Sequence, residues 1–198
     1  MPLGNVLKRR THETAACAAC GLEVPAGSTY CNHCGVRLDE PDAQPLHVVD
    51  RATGLFNDRF LRPVLEDELA RAHRYGRPLG LMLIEPTAES PVRTESDDST
   101  LKVIAAAVAG AIREVDTPGV LGRNPVQLLV LLPDTDISGT AHAANRVLDI
   151  VNVALGAVGE RARIGIACIH PAQRLRAGAA IEAVGRAART GRPELLGR

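Results

Sequence analysis

Cys17, Cys20, Cys31 and Cys34 are the residues of this chain best placed to do chemistry together. They form two C-x2-C pairs, Cys17-Ala-Ala-Cys20-Gly21 and Cys31-Asn-His-Cys34-Gly35, with ten residues between them. A C-x2-C turn aims two thiolates at one tetrahedral ion, the glycine behind the second sulfur relieves the tight turn, and two such turns complete a four-sulfur shell. Catalytic zinc keeps one position for water and four thiolates leave none, so the expected cofactor is a structural Zn2+. A segment of about 20 residues cannot bury a core, and metal binding would supply its folding energy. Two disulfides would also use the four sulfurs, but no secretory leader is visible and cytosolic thiols stay reduced. His33 would have to displace a thiolate to reach the ion and is read as a solvated bystander. Residues 22–30, with Pro25 and Gly27, read as a short hairpin between the two turns. The fifth cysteine, Cys168, lies in an apolar run at 164–169 and is expected to be a small core residue.

Stepping outward to the elements around them, 198 residues leave room for one ordinary domain and something small. Apolar residues make up 45% and charged residues 23%, the balance of a globular chain. The 23 basic and 23 acidic residues cancel, so no global field favours nucleic acid or an anionic membrane. With two Phe, two Tyr and no Trp, stacking platforms for single-stranded nucleic acid are few. No run approaches the ~18 apolar residues of a membrane helix, and the expected location is cytoplasmic with no membrane partner. The expected organisation is a flexible tail at 1–15, a metal-bound segment at 16–38, a proline-bearing linker at 39–48 and a second domain at 49–198. Residues 16–38 resemble the zinc-ribbon modules found at the ends of many bacterial and archaeal proteins. Such ribbons bind nucleic acid, bind protein or cap a neighbouring domain, and the nearby basic cluster Lys8-Arg9-Arg10 is small.

In the second domain Phe60, Leu61, Val64, Leu65, Leu69 and Ala72 recur at helical spacing behind Asn57, a plausible N-cap. Pro63 sits deep for a helix starting there, so the expected regular start is nearer Leu61, or the helix kinks early. Residues 79–84 are almost unbroken apolar, as in a central strand covered on both faces. Residues 86–100 read as a loop, and Leu101, Ile104, Ala105, Val108 and Ile112 as a helix stripe. Pro118 and Gly119 read as a turn, with a short strand at 120–121. A strand at 127–132, a helix through 141–155, a strand at 163–169 and a helix at 179–190 complete the order. The fold class is therefore α/β or α+β, a sheet with helices packed on it.

Several stretches then resemble the GGDEF family of diguanylate cyclase domains. Asp50-Arg-Ala-Thr-Gly-Leu-Phe-Asn-Asp-Arg59 is similar to its opening signature D-x-L-T-G-L-x-N-R, departing at Ala52 and Asp58. The likeness continues through Glu68-Leu-Ala-Arg-Ala-His-Arg-Tyr-Gly-Arg-Pro-Leu79, Asp98-Ser-Thr-Leu-Lys-Val103, Val130-Leu-Leu-Pro133 and Ile164-Gly-Ile-Ala167, covering about residues 49–192. The resemblance implies a five-stranded central sheet flanked by helices, akin to nucleotidyl cyclases and polymerase palms. It also implies a reaction that joins two GTP molecules across a transient dimer, with carboxylate-held divalent metal ions at the transferring phosphoryl group.

The residues that carry that reaction in the family are largely replaced. The metal-binding Asp at the end of the first core strand matches Glu85, an altered ligand. Counting back from Val130-Leu-Leu-Pro133 places Asn124-Pro-Val-Gln-Leu128 where the G-G-D-E-F hairpin belongs, so both glycines and both carboxylates are absent. The loop at 86–97 lacks the family's Phe-Lys pair and Asn-Asp segment, and the phosphate-gripping lysine of the last helix falls at Ala188, with Arg189 and Arg192 read as solvated. Arg113-Glu-Val-Asp116 has the form of the family's R-x-x-D product-inhibition motif, at a longer spacing from the hairpin. Its plain alternative is a helix end on the solvent face. The expected nucleotide contacts, if any, are Arg113, Asp116 and Glu85.

Three functions are weighed on these residues. The leading one is an inactive GGDEF-like regulatory or scaffolding protein, a pseudoenzyme whose ribbon and cyclase-like domain serve protein interaction or homodimerisation. The second is a receptor for cyclic di-GMP or another nucleotide. The third is a nucleic-acid-associated regulator acting through the ribbon.

Overall fold

The computed structural model describes residues 14–17, 22–32, 38, 48–87, 98–123, 125–156, 160–172 and 174–197. The chain divides into two units, Met1–His47 and Val48–Arg198. In the first unit β1 (Thr14–Ala16) pairs antiparallel with β2 (Glu23–Pro25), Thr14 opposite Pro25 and Ala16 opposite Glu23. The Cys17 amide donates to Leu22 O at 2.9 Å, one step beyond the Ala16 and Glu23 pair. Within 22–30, where the sequence suggests a hairpin, a turn follows β2 directly: the Ser28 amide and hydroxyl both donate to Pro25 O, at 3.2 and 2.7 Å. Thr14 and Ala15, expected in a flexible tail, are the start of β1. Lys8, Arg9, Arg10, Cys20, His33, Cys34 and the linker residues 39–47 lie outside the described residues.

The second unit runs β3 (Phe56–Asn57), α1 (Asp58–Tyr75), β4 (Leu79–Thr87), α2 (Asp98–Ala109), β5 (Thr117–Arg123), β6 (Val126–Pro133), α3 (Ile137–Gly156), β7 (Arg161–Ile169), α4 (Ala177–Thr190) and β8 (Glu194–Leu196). The sheet order is β3-β5-β6-β4-β7-β8, antiparallel across β5-β6, β6-β4 and β4-β7 and parallel at both edges. Six strands stand where five were expected, since β8 adds itself to β7 at the C-terminal edge.

Alternation along β4 explains its unbroken apolar run. Met82 and Ile84 enter one core with Leu101, Ile104 and Val108 of α2 and Val147 and Val151 of α3. Leu79, Leu81 and Leu83 enter the other with Leu61, Leu65 and Leu69 of α1 and Ala180 and Val184 of α4. Successive side chains point to opposite faces, so a strand covered on both sides must be apolar throughout. Each buried Leu or Ile adds about 1.5–3 kcal/mol over its exposed state.

The prolines and glycines follow from this packing more than from local turns. The Asn57 side chain caps α1 by accepting from the Phe60 amide at 3.1 Å, and the helix starts at Asp58, not near Leu61, with Pro63 inside it. Pro63 forfeits one helical hydrogen bond, while Leu61 and Leu65 on either side of it are fully buried. Pro118 and Gly119 lie in β5 rather than in a turn. Pairing with β3 begins only at Gly119, so the N–H that Pro118 lacks is not needed there. A Cβ at Gly119 would stand 2.8 Å from the Leu61 side chain and 3.0 Å from Phe56 O; glycine lets α1 approach β5. Pro86 is likewise in β4, opposite Ala162, beyond the last β6 pair at Ile84.

A close backbone approach lies between β7 and α4. A Cβ on Gly165 would lie 2.2 Å from Ala188 N and 2.5 Å from Val184 O. Both are backbone atoms that cannot yield without moving the helix. Gly165→Ala is therefore expected to destabilise the second unit by about 3 kcal/mol, an overpacking cost, read as a lower denaturant midpoint, whereas Gly178→Ala, with open space around its Cβ, should leave the midpoint unchanged or raised.

Candidate functional site

Register assembles a cluster of polar side chains at one end of the sheet. Glu85 of β4 stands directly opposite Arg163 of β7, and Gln127 of β6 follows the last β4-β6 pair, Ile84 with Leu128. Glu85 is 6% exposed. Its Oε2 accepts from Arg163 Nε at 2.9 Å and lies 2.7 Å from Arg163 Nη2, while its Oε1 accepts from Gln127 Nε2 at 2.7 Å. Both carboxylate oxygens are thus held, one by a guanidinium fork and one by an amide. An opposite-charge pair directly across two strands is the arrangement that a sheet favours.

The β5-β6 hairpin beside it places Gly122 opposite Gln127 and Arg123 opposite Val126. Pro125 lies in the turn, and Asn124 is outside the described residues. Val126 and Leu128 are buried in the core beneath α2 and α3. A register shift between Val120 and Gly122 leaves Leu121 as an extra residue in β5. Arg123 Nη2 makes a close ion pair with Asp50. The other Asp50 oxygen accepts from the amides of Ala52 and Thr53 and from the Thr53 hydroxyl, at 3.1, 3.0 and 2.9 Å. Asp50 therefore builds the turn ahead of α1, with Gly54 at φ 75° taking the left-handed position.

Arg113 and Asp116 sit at the other end of the sheet. Asp116 is buried and accepts from the Arg113 amide at 2.8 Å, from Arg113 Nε at 3.3 Å and from Arg113 Nη2 at 3.0 Å. Arg113 Nη2 also donates to the Thr135 hydroxyl at 2.7 Å. The pair closes the connection from α2 to β5, and Asp116 is no solvent-face residue. Arg113 borders a cleft of about 490 Å3 that also takes Arg71, Tyr75, Arg77, Val115 and Asp134. Arg77 bonds Asp134 at 2.6 Å and Arg71 bonds Glu68 at 2.7 Å. Leu79 lines this cleft, and Glu85 is six residues further along β4, about 20 Å at strand rise. Arg113 and Asp116 do not share a site with Glu85.

Neither a protein-family model nor a curated protein matches the sequence. Solved structures do. The diguanylate cyclase SiaD from Pseudomonas aeruginosa, in complex with its activator SiaC, is 26% identical with a TM-score of 0.62, over 76% of this chain and 61% of that one. The match thus spans less than two thirds of the SiaD chain. The GGDEF domain of DgcB from Caulobacter crescentus, in complex with c-di-GMP, is 15% identical with a TM-score of 0.58, over 75% of this chain and 92% of that one. The GGDEF domain of FimX from Pseudomonas aeruginosa is 17% identical with a TM-score of 0.59, over 75% and 98%. This chain has the GGDEF fold.

Glu85 was singled out in the sequence by the family resemblance, without any sign of its partners. Arg163 and Gln127 become visible only through register, which pairs positions 78 and 42 residues away. Ala188, where the family's lysine falls, is buried against β7, and Arg189 and Arg192 are exposed. Cys168 is a core residue as expected; burial, with Asp136 adding to it, raises its thiol pKa, and Sγ donates to Thr135 O at 3.8 Å. None of the helices among the described residues is long and apolar enough to cross a membrane. The loop at 88–97 lies outside the described residues.

Removing Arg163 would leave a nearly buried carboxylate with one amide partner. Arg163→Ala should cost about 2 kcal/mol, and Glu85→Gln in that background should recover part of it, since the uncompensated charge goes with it. A double-mutant cycle by urea denaturation reads this as a coupling of about 1 kcal/mol or more; additive single costs would mean the pair is a solvated surface contact.

Proposed function

We propose that this protein is a GGDEF-like regulatory or scaffolding protein without cyclase activity, acting through protein contacts or self-association. The observation that carries the reading is the state of Glu85. Metal-assisted phosphoryl transfer needs carboxylate oxygens turned toward the ions. Here both oxygens of Glu85 are bonded to Arg163 and Gln127, so a divalent cation would have to compete with a guanidinium already in place. The neighbouring positions on the hairpin are Val126, buried in the core, and Gln127, spent on Glu85. The residues present do not fit a catalytic metal centre. SiaD is held in complex with a protein activator, and a protein partner for the present domain is read by analogy with that arrangement.

The N-terminal unit is proposed as a zinc ribbon serving as a second interaction module. Cys17 and Cys31 are each 2% exposed and share a small buried cluster with Val24, flanked by Leu38. Two sulfurs brought together in a cluster otherwise formed by one valine suit a thiolate-bound ion that stands in for a core. Cys20 and Cys34 would complete the shell.

A second reading, a cyclic di-GMP receptor, is favoured by the cleft beside Arg113. Three guanidiniums, Arg71, Arg77 and Arg113, border it with the 61% exposed Tyr75, a combination suited to phosphates and a purine face. The DgcB domain is a GGDEF domain in complex with that dinucleotide.

One preparation tests these readings together. Incubated with GTP and Mg2+ or Mn2+, the purified chain should form no cyclic di-GMP, and metal analysis should return about one zinc per chain, the four-thiolate stoichiometry. Product formation would overturn the inactive assignment. Calorimetric binding of cyclic di-GMP that disappears in Arg113→Ala would make the receptor reading the correct one.

A further inference from the structure

On the side of α1 away from the Arg113 cleft, a second cleft of about 660 Å3 opens between the later turns of that helix and the segment leading into α4. Its apolar floor includes Leu69 and Leu175, and its walls carry Arg74 from α1 and Arg174 and Arg176 from the opposite side. The volume lies within the range of small-ligand sites, roughly 300–1,000 Å3. Charge distinguishes it. Among the described residues none of the three arginines meets a carboxylate; Arg74 only overlies the Tyr75 ring, 5.5 Å from its centroid.

The one carboxylate in the lining, Glu66, is already used. Arg176 is the N-cap of α4 and supplies no side-chain cap, so Glu66 Oε1 accepts from the Ala177 amide at 2.9 Å in its place. That bond spans 111 residues and ties α1 to the start of α4. His73 adds a second tie, its Nδ1–H donating to Pro171 O at 2.8 Å. Two long-range hydrogen bonds thus hold the cleft walls at fixed separation, which lowers the ordering cost for a ligand.

We propose that this cleft binds a small ligand carrying more than one phosphate, gripped between Arg74 on one wall and Arg174 and Arg176 on the other. Guanidiniums bind phosphate as bidentate forks. Arg174 and Arg176 flank Leu175 on one segment, so two of the three guanidiniums come from the same wall. A diphosphate offers oxygens to three guanidiniums at once, where a single phosphate offers fewer, so it is the form expected to bind tighter. The Ala177 amide is taken by Glu66, and the recognition is assigned to the arginines.

Calorimetric titration of the full chain with inorganic pyrophosphate at physiological ionic strength tests this. Saturable binding is expected. It should weaken roughly tenfold or more in the double variant Arg174→Gln, Arg176→Gln and clearly in Arg74→Gln, and stay unchanged in Arg192→Gln, an exposed arginine that lines neither cleft. All four side chains are largely exposed, so circular dichroism of the variants should match the parent. Absence of saturable heat, or full affinity in the double variant, would overturn the proposal. So would an oligoglutamate peptide binding these arginines more tightly than pyrophosphate, which would make the cleft a dock for an acidic protein segment.

Discussion

Strand register between β4 and its two neighbours decides what each end of this sheet can do. Because β4 is apolar on both faces, its alignment with β6 and β7 is strongly specified: a slip by one residue would send Met82 and Ile84 into the wrong core. The same alignment sets Arg163 opposite Glu85 with Gln127 on the other flank. The core packing that makes the domain stable thereby fixes a guanidinium on the carboxylate. The β7 backbone that carries Arg163 is itself held by α4 at Gly165. The inactive assignment rests on this coupling between packing and charge more than on any one missing residue.

The two ends of the sheet use arginine in different ways. At the β4 terminus Arg163 and Arg123 are spent on Glu85 and Asp50, closing the strand end and the turn ahead of α1. At the opposite end Arg113 holds Asp116 while its side chain remains 53% exposed, so a guanidinium edge faces the cleft. Arg161 and Arg163 are exposed at the hairpin end as well, so the two ends differ in what their arginines border rather than in exposure. Ligand recognition, where it occurs, is expected at the Arg113 end and along the flanks of α1.

What could be read from the sequence was whatever rests on short-range pattern. The run at 79–84, the spacing from Phe60 to Ala72 and the Asn57 cap each report a local rule, and the structure follows all three. The turn assigned to Pro118 and Gly119 failed because both residues answer to distant neighbours: Gly119 is small because Leu61 presses on it. β8 went unread since three residues at a parallel edge carry no period and depend on β7 and on the Arg186 to Glu194 ion pair. Glu85 was legible as a strand-end carboxylate, whereas its neutralisation was not. Arg163 lies 78 residues away, and nothing in its own segment marks it as a partner.

The most direct measurement is a Mn2+ titration of the isotopically labelled chain, following paramagnetic broadening of the backbone amides of Glu85, Gln127 and Arg163. With the carboxylate held by Arg163 and Gln127, these amides should show no saturable, site-specific broadening, whether or not GTP is present. Saturable broadening centred on Glu85 at low Mn2+ would show that the ion displaces the guanidinium, and would contradict the account.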